Sequence, residues 1–145
     1  MGLIRKLSMA VLISAAATSA VYAEEVAYKA TLTGSAEVPP TTSPGKGSVD
    51  ATLDTSTKAF KWTISYEGLT GPATAAHFHG PAAVGQNAAP VVPVKVPEAA
   101  SGNVSGTQTL TDAQIADRES GKWYFNVHTA KNKGGEIRGQ LQPSH

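Results

Sequence analysis

The chain has 145 residues, of which 41% are hydrophobic and 16% charged, and it contains no cysteine. This length suits one domain with its own core and is short for two. The 12 basic residues nearly balance the 11 acidic ones. A nucleic-acid-binding domain normally shows a basic excess, so no nucleic-acid partner is predicted. Because no disulfide can form, the hydrophobic core must hold the fold by itself.

Residues 1–23 have the three parts of a secretory signal peptide. Arg5 and Lys6 form the positive segment, residues 7–17 form a short apolar run, and Val21-Tyr22-Ala23 fits the small-x-small cleavage pattern. The apolar run is too short for a transmembrane helix. We therefore predict cleavage after Ala23, a periplasmic or secreted location, and no membrane anchor in the mature protein. Loss of Arg5 and Lys6 lowers the basic count from 12 to 10 against 11 acidic residues, so the net charge becomes −1.

Residues 24–145 are predicted to form a single domain, because apolar and polar side chains alternate along most of it. The alternation is clearest in residues 60–67, where every second side chain is apolar. A period of two indicates antiparallel strands with one face on the core. Eight strands are predicted, at residues 28–33, 49–54, 60–67, 73–79, 91–96, 103–110, 122–129 and 136–141. The predicted fold class is all-β, a Greek-key-like β-sandwich or flattened barrel of about eight antiparallel strands.

One short helix is predicted between the sixth and seventh strands. Thr111 and Gln114 fit a capping box, and Gly121 lies where such a helix would end. Residues 54–58 are short and polar, as a hairpin connection requires. Residues 81–90 are rich in Ala, Gly and Pro and are predicted to form a long loop.

The last two strands can be aligned across a predicted turn at residues 129–135. This register gives a polar face with three opposed pairs: Tyr124 and Gln140, Asn126 and Arg138, His128 and Glu136. It also gives an apolar face with three opposed pairs: Trp123 and Leu141, Phe125 and Gly139, Val127 and Ile137. A slip of one residue would exchange the two faces. We predict that the polar face is solvated and that Gly139 leaves room for Phe125.

Three histidines lie on the polar sides of predicted strands. His77 and His79 are two residues apart, so they project from one face about 7 Å apart along the strand. His128 would join them if its strand lies beside theirs. Neutral imidazole is a common ligand for copper and zinc, so these residues are the predicted metal ligands. The competing interpretation is an exposed polar pair with an unrelated third histidine. His145, at the terminus, is interpreted as a disordered end rather than a ligand.

Three polar residues are assigned to the surroundings of the predicted metal. Glu136 is interpreted as a carboxylate that orients a histidine ligand, or binds the metal directly. Asn126 and Arg138 lie on the same predicted face, and Arg138 could attract an anionic substrate. The alternative is an ordinary cross-strand polar network. The chain has no Gly-x-Ser-x-Gly motif and no phosphate-binding glycine loop, so no catalytic or organic-cofactor residue is predicted.

Two blocks of the sequence resemble the CHRD family. They are Ala-His-Phe-His-Gly-Pro-Ala at 76–82, and Tyr-Phe-Asn-Val-His-Thr at 124–129 running on to Gly-Glu-Ile-Arg-Gly-Gln-Leu at 135–141. With Ala-Glu-Val-Pro-Pro at 36–40, the resemblance extends over nearly all of residues 24–145. It implies a β-sandwich domain of poorly defined biochemistry, found widely in bacterial exported proteins. In chordin such domains belong to a protein that binds growth factors, and we do not transfer that role.

The order of the histidines also resembles copper/zinc superoxide dismutase, in which His-x-His and a later histidine bind copper. His77, His79 and His128 match that order. The chain lacks a bridging histidine, a zinc-binding loop and the disulfide, so the likeness implies a mononuclear copper site more than dismutase activity.

Three functions follow from the sequence. The first is an exported CHRD-domain protein that binds one metal ion, with copper favoured over zinc by the usual affinity order. The second is an extracytoplasmic binding or structural module without metal. The third is a small redox enzyme similar to superoxide dismutase. The sequence does not identify a protein partner.

Overall fold

The computed structural model describes residues 10–12 and 24–144. The predicted signal peptide therefore lies outside the described residues except for residues 10–12, and so does His145. The strands run in chain order as follows: β1 Glu25–Thr33, β2 Lys46–Asp54, β3 Ala59–Glu67, β4 Ala73–His79, β5 Pro90–Val94, β6 Gly102–Thr109, β7 Tyr124–Thr129, β8 Ile137–Gln140 and β9 Gln142–Pro143. The eight predicted strands are confirmed, with bounds that shift by a few residues.

The strands form one antiparallel sheet in the order β5-β4-β7-β8-β1-β2-β3-β6, with β9 beside β1. The sheet curls into a nearly closed barrel, which confirms the all-β prediction and favours the barrel over the open sandwich. Two neighbours in this order matter for the site. β4 pairs with β7, and β7 pairs with β8.

The core is built from the apolar side of each strand. In β3 the side chains of Phe60, Trp62 and Ile64 are buried, whereas Lys61 and Thr63 are exposed. This follows from the strand period of two. An aromatic cluster fills one part of the barrel, with ring centroids 4.9–6.1 Å apart. Its members are Phe60, Trp62, Phe78, Trp123 and Phe125.

The predicted helix is present as α1, Asp112–Glu119. Thr111 accepts a hydrogen bond from the backbone N–H of Gln114, and the Gln114 side chain accepts one from the backbone N–H of Thr111. Gly121 follows with φ +75°, a left-handed conformation that suits glycine at a helix end. Among the described residues, no helix is long and apolar enough to cross a membrane. A 3₁₀ turn, Gly34–Ala36, follows β1.

The predicted register of β7 and β8 is confirmed, since Tyr124 pairs with Gln140 and Asn126 with Arg138. Phe125 pairs with Gly139 as predicted, but the reason for the glycine differs. A Cβ at Gly139 would lie 2.3 Å from the backbone oxygen of Thr31 in β1. The glycine therefore allows β8 and β1 to approach each other, and none of the three atoms nearest to such a Cβ belongs to Phe125.

The prediction that the polar face is solvated is wrong. His79, Asn126, Glu136 and Arg138 are all buried. The loop between β4 and β5 covers one part of this face, because its backbone and side chains bond to His79 and Arg138. The segment between β1 and β2 covers another part, where Ser43 donates to Glu136. The barrel thus has a second buried region, polar in character, outside its apolar core.

Candidate metal centre

The structure brings the three predicted histidines together. His77 and His79 lie on β4, and His128 lies on the adjacent strand β7, opposite Ala75. One ring nitrogen of each histidine lies within 4.8 Å of the corresponding nitrogens of the other two. His79 is buried, with 6% of its surface exposed, whereas His77 and His128 are half-buried. The cluster is therefore partly accessible to solvent through His77 and His128.

The closest pair of ring nitrogens has the spacing of two ligands on one ion. Nδ1 of His77 and Nε2 of His128 are 3.2 Å apart. Two nitrogens at about 2.0–2.1 Å from one zinc ion lie roughly 2.8–3.4 Å apart for bond angles between about 90° and 110°. The His77 ring is steeply inclined to both others, at 71° to His128 and 86° to His79.

Backbone carbonyl groups fix the tautomers of two of the histidines. Nδ1 of His79 lies 2.9 Å from the carbonyl oxygen of Ala88, and Nδ1 of His128 lies 2.8 Å from that of Lys133. A carbonyl oxygen can only accept, so Nδ1 carries the hydrogen in each neutral ring. The lone pair is then on Nε2, which faces the cluster in His128. Histidine ligands in metal sites are commonly oriented in this way.

The surroundings favour neutral imidazoles. Burial lowers the pKa of His77, and the nearby His128 and His79 lower it further. Burial also lowers the pKa of His79, against the opposing effect of its hydrogen bonds to Ala88 and Asn126. Both groups are therefore uncharged at neutral pH, which is the form that binds a metal ion.

A stack of side chains holds the covering loop over His79. The Tyr124 ring is parallel to His79 within 5°, with centroids 4.7 Å apart, and the guanidinium of Arg138 lies 3.5 Å from the same Tyr124 centroid. Arg138 donates to Oδ1 of Asn87 at 2.9 Å and to the backbone oxygen of Gln86. Arg138 thus holds the loop by hydrogen bonds and contacts the site through Tyr124. Alternation predicts Tyr124 only as a sheet residue, because it carries no information on ring stacking.

A family model described as the CHRD domain matches residues 28–141. This range is more than half of the chain and includes all three histidines. The chain belongs to the CHRD family. No curated protein matches it. In this CHRD domain, the histidine cluster and the residues around it lie within the matched range, so the site is part of the domain itself.

Glu136 of the CHRD domain is placed away from the histidines. Its buried carboxylate accepts hydrogen bonds from the following groups: the backbone N–H of Thr70 at 2.8 Å, the Thr70 hydroxyl, the Ser43 hydroxyl at 2.9 Å, the Thr129 hydroxyl at 2.8 Å and Nδ2 of Asn132 at 3.0 Å. Burial acts to raise the pKa of Glu136, but these hydrogen bonds outweigh it and lower the pKa to about 2. Among the described residues, no hydrogen bond joins this carboxylate to a histidine.

Asn126 does contact the cluster, and behind it lies a residue that sequence reasoning missed. Oδ1 of Asn126 is 2.8 Å from Nε2 of His79. Glu37 is 96% buried near Asn126, and its Oε2 has no hydrogen-bond partner in the described part of the chain. Burial raises the pKa of Glu37 to about 7, against the lowering effects of Asn126 and Arg138. Glu37 falls within the block at 36–40, but no spacing in the sequence connects it with Asn126.

Proposed function

We propose that this CHRD domain is an exported protein that binds one transition-metal ion, with copper preferred to zinc, through His77, His79 and His128. The observation that carries the proposal is the convergence of three imidazoles whose ring nitrogens lie within 4.8 Å of one another. Neutral imidazole suits copper and zinc, and copper binds more tightly than zinc to a given set of such ligands. The lowered pKa values of His77 and His79 keep these donors unprotonated at neutral pH.

The orientation of the rings supports a ligand role over simple packing. Because Nδ1 of His79 and of His128 each face a carbonyl oxygen, both rings offer an Nε2 lone pair. In the tautomer of His77 that carries its hydrogen on Nε2, Nδ1 presents a lone pair 3.2 Å from Nε2 of His128. Nε2 of His79 faces another acceptor, Oδ1 of Asn126. A bound cation would interact favourably with all of these lone pairs.

A metal-free structural module is the second candidate, and one observation favours it. Nδ1 of His128 donates to the carbonyl oxygen of Lys133, and its Nε2 can accept a hydrogen from Nδ1 of His77, so this ring is satisfied without an ion. A buried polar network with every member satisfied can stabilise a fold without any ion. The two candidates differ in whether metal changes the protein, so direct titration separates them.

We expect the untagged protein to bind one equivalent of Cu²⁺ and, more weakly, Zn²⁺ in isothermal titration calorimetry. His77→Ala, His79→Ala and His128→Ala should each weaken copper binding by more than about 100-fold, since losing a residue that only orients a ligand already costs about 10–100-fold. Added copper should also raise the melting temperature of the wild type, because a ligand that binds only the native state stabilises it.

His145→Ala is the matched control, because His145 is the one histidine of the sequence that is not a proposed ligand, and its loss should leave copper affinity unchanged. The proposal is wrong if the wild type binds copper no better than the triple variant lacking His77, His79 and His128. A wild-type melting temperature that is the same with and without copper would point to the metal-free module instead.

We also propose that export removes residues 1–23, on the basis of the positive segment, apolar run and cleavage pattern. β1 begins at Glu25, so cleavage before Glu24 would leave every strand of the barrel in the mature chain. Mass spectrometry of the protein from the periplasmic or secreted fraction should give a chain that starts at Glu24. An exported protein that retains Met1 would contradict this.

A further inference from the structure

Asn126 is buried beside the histidine cluster. It lies on β7 two residues before His128, and it is opposite His77 in β4. Only 2% of its surface is exposed. Its Oδ1 is 2.8 Å from Nε2 of His79, within the range expected for two atoms bound to the same ion.

The contact between Asn126 and His79 joins two acceptors. Nδ1 of His79 donates to the carbonyl oxygen of Ala88, so Nε2 of the neutral ring carries a lone pair. Oδ1 of Asn126 also presents lone pairs and has no hydrogen to donate. Two such atoms at 2.8 Å repel each other unless a proton or a cation lies close to both.

In this orientation the nitrogen of the amide also faces acceptors. Nδ2 of Asn126 lies 3.4 Å from the backbone oxygen of Gly134. A Cβ built on Gly135 would lie 2.4 Å from this Nδ2 and 2.1 Å from Oε2 of Glu37, so the two atoms are at most about 4.5 Å apart. Gly135 has φ +127°, and its missing side chain leaves the space for this approach. Turning the amide would place its oxygen against Glu37 and Gly134.

We infer that Asn126 is a fourth ligand, binding through its carboxamide oxygen the ion that His77, His79 and His128 hold, and that Glu37 is a positioning residue that keeps this oxygen turned toward the ion. The inference rests on the proposed metal site. It gives a donor set of three nitrogens and one neutral oxygen. Carboxamide oxygen serves as a weak axial ligand in some copper sites, so its effect is larger on the spectrum of the ion than on affinity.

The test combines copper titration with electron paramagnetic resonance of the Cu²⁺-loaded protein. Asn126→Leu removes the oxygen at nearly constant volume, and it should change the copper hyperfine splitting while weakening binding less than the loss of a histidine ligand does. Asn126→Asp keeps an oxygen donor and adds a negative charge, so it should bind Cu²⁺ at least as tightly as the wild type with an altered spectrum. Asn103→Asp, on the exposed side of β6, makes the same charge change away from the site and should alter neither quantity.

A pair of Glu37 variants tests the positioning role, because one should lose the wild-type copper spectrum and the other should restore it. Glu37→Leu removes the acceptor that faces Nδ2 of Asn126 and should reproduce the altered spectrum of Asn126→Leu. Glu37→Gln keeps a carbonyl oxygen at the same place and should restore the wild-type spectrum. If Glu37 only stabilises the fold, Glu37→Leu should lower the melting temperature of the metal-free protein and leave the copper spectrum unchanged.

The outcomes separate this inference from the proposed function. If the wild type binds copper and both Asn126 variants have its affinity and spectrum, Asn126 is not a ligand although the three-histidine site stands. If Asn126→Leu does not fold, Asn126→Asp decides alone, because an unchanged copper spectrum with a carboxylate at this position refutes ligation. If the wild type binds no copper, the proposed function itself fails.

Discussion

Glu136→Gln is expected to lower the free energy of unfolding at pH 7 by on the order of 3 kcal/mol. The carboxylate joins three separate segments, through Ser43 before β2, Thr70 between β3 and β4, and Thr129 with Asn132 at the β7–β8 turn. Its pKa of about 2, against an ordinary value of 4.5, corresponds to a stabilisation of this order, since one pKa unit is worth about 1.4 kcal/mol. Glutamine keeps one acceptor and places its NH₂ group against a donor that cannot accept, either the backbone N–H of Thr70 or Nδ2 of Asn132.

The same pKa fixes the pH dependence of this effect. A carboxyl group whose pKa is lower in the folded protein stabilises it fully above the unfolded pKa, near 4.5, and loses this contribution as the pH falls toward about 2. Urea unfolding of the wild type and Glu136→Gln should therefore differ most at pH 7 and much less near pH 2.5. Glu67→Gln, whose side chain is exposed beside Lys46, is the control and should change stability by less than about 0.5 kcal/mol. An equal difference between wild type and Glu136→Gln at both pH values would contradict this account.

Copper titration of Glu136→Gln separates the structural role from the role that the sequence suggested. Replacing a carboxylate that orients a ligand lowers metal affinity by about 10–100-fold. Because the structure places this carboxylate among Ser43, Thr70, Thr129 and Asn132, we expect a much smaller loss.

The parts of the fold that the sequence predicts are those that depend on local alternation. The burial of Phe60, Trp62 and Ile64 and the pairing of Asn126 with Arg138 both follow from a period of two. Alternation predicts which side of a strand a residue lies on, but it does not predict which other segment covers that side. The covering loop is held by hydrogen bonds between residues about 50 positions apart, such as Arg138 and Asn87. Such contacts leave no periodic signal in the sequence.

The candidate site likewise has residues whose positions the sequence predicts and residues whose positions it does not. His77 and His79 share a face because they are two residues apart, and His128 has the matching parity on its own strand. The prediction that His128 joins the other two was conditional on β4 and β7 being neighbours, and the structure shows this pairing. The position of Glu37 beside Asn126 could not be predicted from the sequence. Glu37 lies in the connection after β1, and no local pattern indicates that this connection packs against β7. Glu136 lies just before β8 rather than inside the predicted strand, and Thr70, from another connection, occupies its carboxylate with hydrogen bonds.

The second large effect is expected on the opposite side of β4 from the histidines. Phe78 is fully buried, pairs with Phe125 across β4 and β7, and has its ring centroid 4.9 Å from that of Phe125. Its ring also packs edge-on against Phe60 and Trp62. Phe78→Ala should therefore lower the free energy of unfolding by about 3–5 kcal/mol, the usual cost of truncating a buried aromatic residue.

Trp62→Ala and Phe125→Ala should fall in the same range, whereas Lys61→Ala should change stability by less than about 0.5 kcal/mol. The most informative comparison is between Phe78 and its neighbour His77, which lies on the other side of the strand and is half-buried. In the absence of metal, urea unfolding should show a large loss for Phe78→Ala and a small one for His77→Ala. Copper titration under native conditions should show the reverse order. Equal losses of stability at positions 77 and 78 would mean that the two sides of β4 do not divide core from metal site.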